Sequence, residues 1–304
     1  MKTRREKLTI ADRFENVPKG GYIPAEHVKD LDKDGVYAGV VYPTASLLFY
    51  MGVRDSQLLS SIFRTYNDWV AEFCGEYPDR LKGIAMINLD NVQEGITEIE
   101  RTRKMGLVGA MISVYPSDDR SYYMPEYEPL WAAAQDLDVP LSFHVATGRS
   151  ATAGAAVNDG GLASTPAFRA NLDFFVRMSL SHVIYSGAFE RYPKLMVGTV
   201  EHELAWIPHF LDQIDYVYTQ RPHRSGWLTF KNGALPTDFF HTNVFCSFQE
   251  DDRGIRDRDW IGVDTLMWGS DYPHPESTFP RSREILETIL EGVPEEEKVK
   301  IVGG

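Results

Sequence analysis

The stretch LMVGTVEHELAWIPHFLDQIDYVY, Leu195–Tyr218, decides how this chain is read. Its first six residues are almost wholly apolar and rich in β-formers, as a strand buried on both faces requires. The remainder carries apolar residues at helical spacing, which predicts a helix over His202–Tyr218. At the junction stand Glu201 and His202, two polar residues where a buried strand gives way to a helix. A strand, a polar junction and a helix make one βα unit, so the question is whether the unit recurs.

It does. Similar runs lie at Tyr37–Tyr42, Lys82–Asn88, Val108–Val114, Pro140–Val145, Val244–Phe248 and Thr265–Trp268. Helical patterns are predicted at Asp55–Gly75, Val92–Met105, Glu128–Leu137, Thr165–Ser181 and Arg281–Leu290. The alternation predicts one parallel sheet of α/β type. Seven strand candidates fall one short of the eight of a closed (β/α)₈ barrel. The expected fold is therefore a distorted TIM-like barrel whose first strand is missing or degenerate.

The bulk numbers fit a single domain spanning residues 1–304. Lys plus Arg is 31 and Asp plus Glu is 44, a net charge of -13, which argues against nucleic acid as a partner. Only Cys74 and Cys246 are present, and no apolar h-region follows the basic start, so a cytoplasmic protein is expected. No apolar run is long enough to span a membrane.

In such barrels chemistry gathers at the C-terminal ends of the strands. Those ends offer His144, then Glu201 with His202, then Asp271 in the turn of GSDYPHPES. Imidazoles and carboxylates are the donors of a divalent metal and the carriers of protons. Each also has a plainer reading. His144 fits a hydrogen-bonded core histidine, Glu201 or His202 a helix N-terminal acid or cap, and Asp271 a turn cap before Pro273. Tyr122, Tyr123, Phe248, Trp268 and Tyr272 could wall an aromatic substrate or pack in the core or on the surface. Arg149 fits either a substrate-carboxylate clamp or a solvated loop side chain. Cys246 reads as a small core residue, and Glu291–Lys300 as a solvated helix start. The Gly/Ala-rich stretch Thr147–Ser164 is expected to be a mobile lid.

Five segments together carry a resemblance. They are YNDWVAEFCGEYPDRLKGIAMI (Tyr66–Ile87), YEPLWAAAQDLDVPLSFH (Tyr127–His144), SFHVATG (Ser142–Gly148), SGAFERYPKLMVGTVEHELAWIPHFLDQID (Ser186–Asp215) and WGSDYPH (Trp268–His274). In order and content they resemble the amidohydrolase-related family that includes aminocarboxymuconate-semialdehyde decarboxylase and the resorcylate-type decarboxylases. The resemblance implies a (β/α)₈ barrel, often homo-oligomeric, with one divalent ion (Zn, Mn or Mg) and a small organic acid, aromatic or not, as substrate. It implies that His144 and Asp271 bind the metal and that Asp271 also handles protons. Glu201 stands where many members carry a catalytic His, and is a candidate both for the metal and for catalysis. His274 and Trp268 are implied as residues behind the ligands or against substrate, and His202 as pointing elsewhere.

One feature of the family is not matched. Its first strand ends in a His-x-His, Glu-x-His or Asp-x-His motif, and the nearest segment here, Leu8–Glu15, sets Asp12 before Arg13 and Phe14. The expectation is a chain shortened at the N-terminus and slightly at the C-terminus. Two functions follow: a metal-dependent hydrolase or non-oxidative decarboxylase, or a non-catalytic or truncated relative that keeps the scaffold and oligomer interface but binds metal poorly.

Overall fold

A computed structural model describes residues 13–150, 166–221 and 228–303. Seven strands form one sheet in sequence order: β1 Gly39–Val41, β2 Leu81–Met86, β3 Gly109–Ile112, β4 Leu141–His144, β5 Val197–Val200, β6 Val244–Phe248 and β7 Leu266–Trp268. Every neighbouring pair is parallel. The principal helices are α1 Pro24–Asp34, α2 Leu48–Gly52, α3 Ser56–Gly75, α4 Val92–Lys104, α5 Glu128–Asp136, α6 Asp173–Ser186, α7 Ile207–Gln220, α8 Pro236–Asn243, α9 Ser282–Ile289 and α10 Glu295–Gly303. The sheet curls as an incomplete barrel whose outer strands, β1 and β7, have no partner strand on their far sides among the described residues.

The local reasons are plain. Residues of β3 and β4 are buried on both faces, which is why these runs read as unbroken apolar segments. Asp55 caps α3 by accepting from the Leu58 amide, and α3 buries Leu59, Phe63, Asn67, Val70 and Phe73 along one stripe. Asn91 caps α4 on the Gln93 and Glu94 amides, and Arg101, Arg103 and Lys104 fill its last turn. Gly35 ends α1 at φ 76°, in the left-handed region that glycine enters without strain.

Three sequence expectations need correction. The helix expected over Thr165–Ser181 is two, Pro166–Arg169 and α6, with the Asn171 side-chain NH₂ donating to the Ala167 carbonyl at the break. The helix expected from His202 begins only at Ile207, because the Asp251 carboxylate takes the Leu204 and Ala205 amides and holds that stretch as a turn. That also removes the reading of Glu201 or His202 as a helix cap. Of the expected lid, residues 151–164 lie outside the described residues, and Thr147, Gly148, Arg149 and Ser150 are buried. No described helix is long and apolar enough to cross a membrane.

Candidate active site

His144 is the last residue of β4 and is buried. Its Nδ1 lies 2.9 Å from the Val145 carbonyl, which fixes the proton there and leaves Nε2 as the free lone pair. The turn after it is fastened to β3: the Thr147 hydroxyl donates to the His144 carbonyl and accepts from the Val114 amide, both at 2.7 Å. Glu201 follows β5 directly, and its carboxylate comes within 3.4 Å of His144 Nε2. Asp271 lies in the turn after β7, with its carboxylate 3.2 Å from His274 Nδ1. Two imidazole–carboxylate pairs thus stand on the C-terminal rim of β4, β5 and β7.

The rim is strained. Ala146, Glu201 and Asp271 take φ values of 62°, 61° and 61°, a left-handed conformation that costs a residue with a Cβ about 1–3 kcal/mol. Each lies at or just past a strand end, where the chain turns sharply and the side chain is aimed over the rim.

The electrostatics separate the groups. Loss of hydration first, and the Asp271 charge second, raise the Glu201 carboxyl to about 8. Solvent still reaches 36% of that side chain, which screens part of the effect. Burial lowers His144 and so keeps it neutral, against smaller opposing effects of Val145 and Asp271. His274 is raised, chiefly by its bond to Asp271. His202 is buried, its two ring nitrogens have no hydrogen-bond partner, and desolvation followed by His144 lowers it to about 3.

Other expected site residues are dispersed. Arg149 is neither a solvated loop residue nor free to clamp a substrate. It is buried, paired with Asp90, and donates to the Tyr50 and Val53 carbonyls at 2.7 and 2.6 Å. Tyr122 is buried against Tyr127 and Phe143, with its hydroxyl donating to Ser113, and Phe248 is core. Tyr123 is on the surface. Trp268 ends β7, with a buried indole N–H that has no partner. Tyr272 donates to Asp30, away from the two pairs. Of the two readings open for these aromatic residues, packing is the one that Tyr122, Phe248 and Tyr123 fit. Tyr42, which sequence reasoning passed over, puts its ring 5.7 Å from that of His144. Its place one residue beyond β1, at a strand end, was the available signal.

The donors suit a divalent ion in kind, since a neutral histidine with a free Nε2 and nearby carboxylates are its common ligands. Among the described residues, however, no three His, Cys, Asp or Glu side chains form a group that could hold one. Among the described residues no third such donor joins either pair.

The amidohydrolase family pattern matches residues 24–304. Gamma-resorcylate decarboxylase of Polaromonas sp. (strain JS666 / ATCC BAA-500) is 26% identical over 267 residues, 83% of this chain and 77% of that protein. The fold is similar to 5-carboxyvanillate decarboxylase of Sphingomonas paucimobilis, with TM-score 0.74, 21% identity and coverage of 96% of this chain and 85% of that one. It is also similar to a dihydroxybenzoic acid decarboxylase of Polaromonas sp. JS666 solved with bound manganese and the inhibitor 2-nitroresorcinol. There the TM-score is 0.71 at 20% identity, over 90% of this chain and 82% of that chain.

Proposed function

This chain belongs to the amidohydrolase family, and we propose that it is a metal-dependent decarboxylase of a small hydroxylated aromatic acid. The observation that carries this reading is the convergence of His144, Glu201 and Asp271 on one strand-end rim, in a chain similar to a gamma-resorcylate decarboxylase. The non-catalytic alternative draws no support from these relatives, which are decarboxylases by name.

In this reading His144 and Asp271 would hold the ion, and manganese is the first choice because a related structure contains it. Such an ion would supply Lewis-acid polarisation of the bound acid. The chain's own groups then have defined tasks. Loss of CO₂ breaks the bond between ring carbon and carboxyl carbon and leaves the electron pair on the ring. A proton must reach that carbon. Glu201, open from the sequence both as ligand and as proton carrier, is assigned the proton, because its carboxyl stands on the rim beside His144, where burial favours the protonated form. Asp271 and His274 share a proton beside it and restore the Glu201 acid afterwards. Tyr42 packs over His144 and keeps its ring in place.

The experiment is incubation with Mn²⁺ and gamma-resorcylate in D₂O, following CO₂ and the product. The expected result is CO₂ release with one solvent deuterium on the ring. Glu201→Gln should slow turnover by about 100-fold or more. A product formed by hydrolysis, or no CO₂ from any hydroxybenzoate tried, would overturn the reading. We further propose one catalytic domain in a cytoplasmic homo-oligomer. Two buried free cysteines and the exposed apolar Leu48, Phe49 and Leu58 of α2 and α3 support this, and light scattering would test the oligomer.

A further inference from the structure

Asp271 keeps a φ of 61°, a left-handed conformation that a residue with a Cβ holds only where its surroundings over-determine it. The residues on either side of it are fastened to two different parts of the fold. Before it, the Ser270 carbonyl accepts from the Gln249 side-chain NH₂ at 3.2 Å. After it, the Tyr272 hydroxyl donates to Asp30 of α1. We propose that Gln249 and Asp30 are the positioning residues of Asp271, which aim its carboxylate over the rim. The proposal deepens the assignment of Asp271 to the candidate site and rests on it.

Gln249 follows β6 directly, between the strands that lead to Glu201 and to Asp271. Its side chain also donates to the Glu276 carbonyl at 2.7 Å, so the turn is held on both sides of Asp271 by one amide. Both partners are carbonyl oxygens, so the task needs a side chain with two donors. The Gln249 backbone amide donates to the Glu203 carboxylate at 3.2 Å, in the turn that carries Glu201. One residue thus sets the spacing between the two turns whose carboxylates make the imidazole pairs.

The second tie is independent of the first. The Tyr272 ring lies against those of His27 and Phe279, at 5.2 and 4.5 Å, and this packing directs its hydroxyl to Asp30. Gly20 leaves the room that this bond needs, because a Cβ there would fall on both the Tyr272 hydroxyl and the Asp30 carboxylate. Asp34, on the same helix, serves for comparison. It accepts from the Ser282 amide at 3.0 Å and so holds the start of α9, well past Asp271.

The His274 amide donates to the Asp271 carbonyl at 2.8 Å, so its hydrogen exchange follows the Asp271 backbone. Measured on the metal-free full chain, it needs neither ion nor turnover. Gln249→Met and Asp30→Leu should each speed it about tenfold, while Ala110 and Phe143 keep their wild-type rates. Asp30→Asn still accepts from Tyr272 and should stay within about twofold of wild type. Gly20→Ala leaves both partners in place but crowds them apart, and should act as Asp30→Leu does. Mn²⁺ titration gives the second readout. Gln249→Met and Asp30→Leu should weaken binding about tenfold, and Asp34→Ala should not, although it lowers the thermal unfolding midpoint at least as far. Wild-type exchange at His274 in both Gln249→Met and Asp30→Leu would overturn the proposal. So would equal weakening of Mn²⁺ by Asp34→Ala. A wild type that binds no Mn²⁺ would instead remove the ion from the proposed function, and His274 exchange would still decide for or against the two ties.

Discussion

Glu201 concentrates two costs in one residue, a left-handed backbone and a carboxyl raised from 4.5 to about 8. The sign of the second is fixed by linkage. Between those values the folded state keeps a proton that the unfolded chain releases, so this group lowers stability as pH rises from 4.5 toward 8. With 36% of the side chain in solvent, screening leaves an effect on the order of 1 kcal/mol. Metal-free Glu201→Gln is therefore expected to unfold about 2 °C above wild type at the alkaline end and at the same temperature below pH 4.5. Equal midpoints throughout would remove the perturbed carboxyl. Ala146 bears strain without charge, so Ala146→Gly should stabilise by about 1 kcal/mol, read from urea midpoints. Arg149 works in the opposite sense: Arg149→Met leaves Asp90 without its cation and two carbonyls without donors, a loss of about 3–5 kcal/mol. What could be seen in the sequence at this scale follows from that contrast. His144, Glu201 and Asp271 were visible because a polar residue at the end of an apolar run is anomalous by itself. Arg149 was misread because its surroundings come from residues distant in the chain, such as Asp90.

The elements show the same division between local and distant causes. Strands were legible to within a few residues because burial on both faces demands a continuous apolar run, which the local sequence must carry. The start of α7 was not, because its preceding turn is held by a carboxylate 47 residues farther on. α1 and α8 were passed over because their strand-rich neighbours gave a clearer signal than short helices opening with proline. The Asp251 contact is open to test. Asp251→Ala frees the buried Leu204 amide and the neighbouring Ala205 amide, and should cost about 1–3 kcal/mol. Because the same turn carries Glu201, turnover should fall while substrate KM changes little; a stable, fully active variant would sink the argument. A second case joins α3 to β2. The buried Asn67 side chain accepts from the Met86 amide at 2.7 Å and donates to the Met86 carbonyl at 3.0 Å. Asn67→Leu leaves both backbone groups unpaired, and a loss of about 2–4 kcal/mol is expected in denaturant titration.

At the scale of the whole molecule the decisive feature is the seam between β1 and β7. The seven strands of the described residues were legible because each is a separate apolar run. What lies across the seam was not, since pairing across an edge depends on backbone groups that leave no mark on residue choice. The register says which groups face it. The Gly39 amide donates to Arg80 on the β2 side, so the alternate Val40 amide points the other way. The Gly269 amide donates to Phe248 on the β6 side, so the Trp268 amide points away as well. Val40 and Met267 are 49% and 45% exposed, unlike any residue of β3 or β4. An edge of this kind is a template for another strand. Amide exchange by NMR separates the cases. With the seam open, Val40 and Trp268 should exchange far faster than Ala110 and Phe143, whose strands are paired on both sides. Slow exchange at both edge amides that persists on dilution means that a segment of the same chain covers the seam. Slow exchange that is lost on dilution means that a second copy does, and the homo-oligomer would then be what closes the barrel.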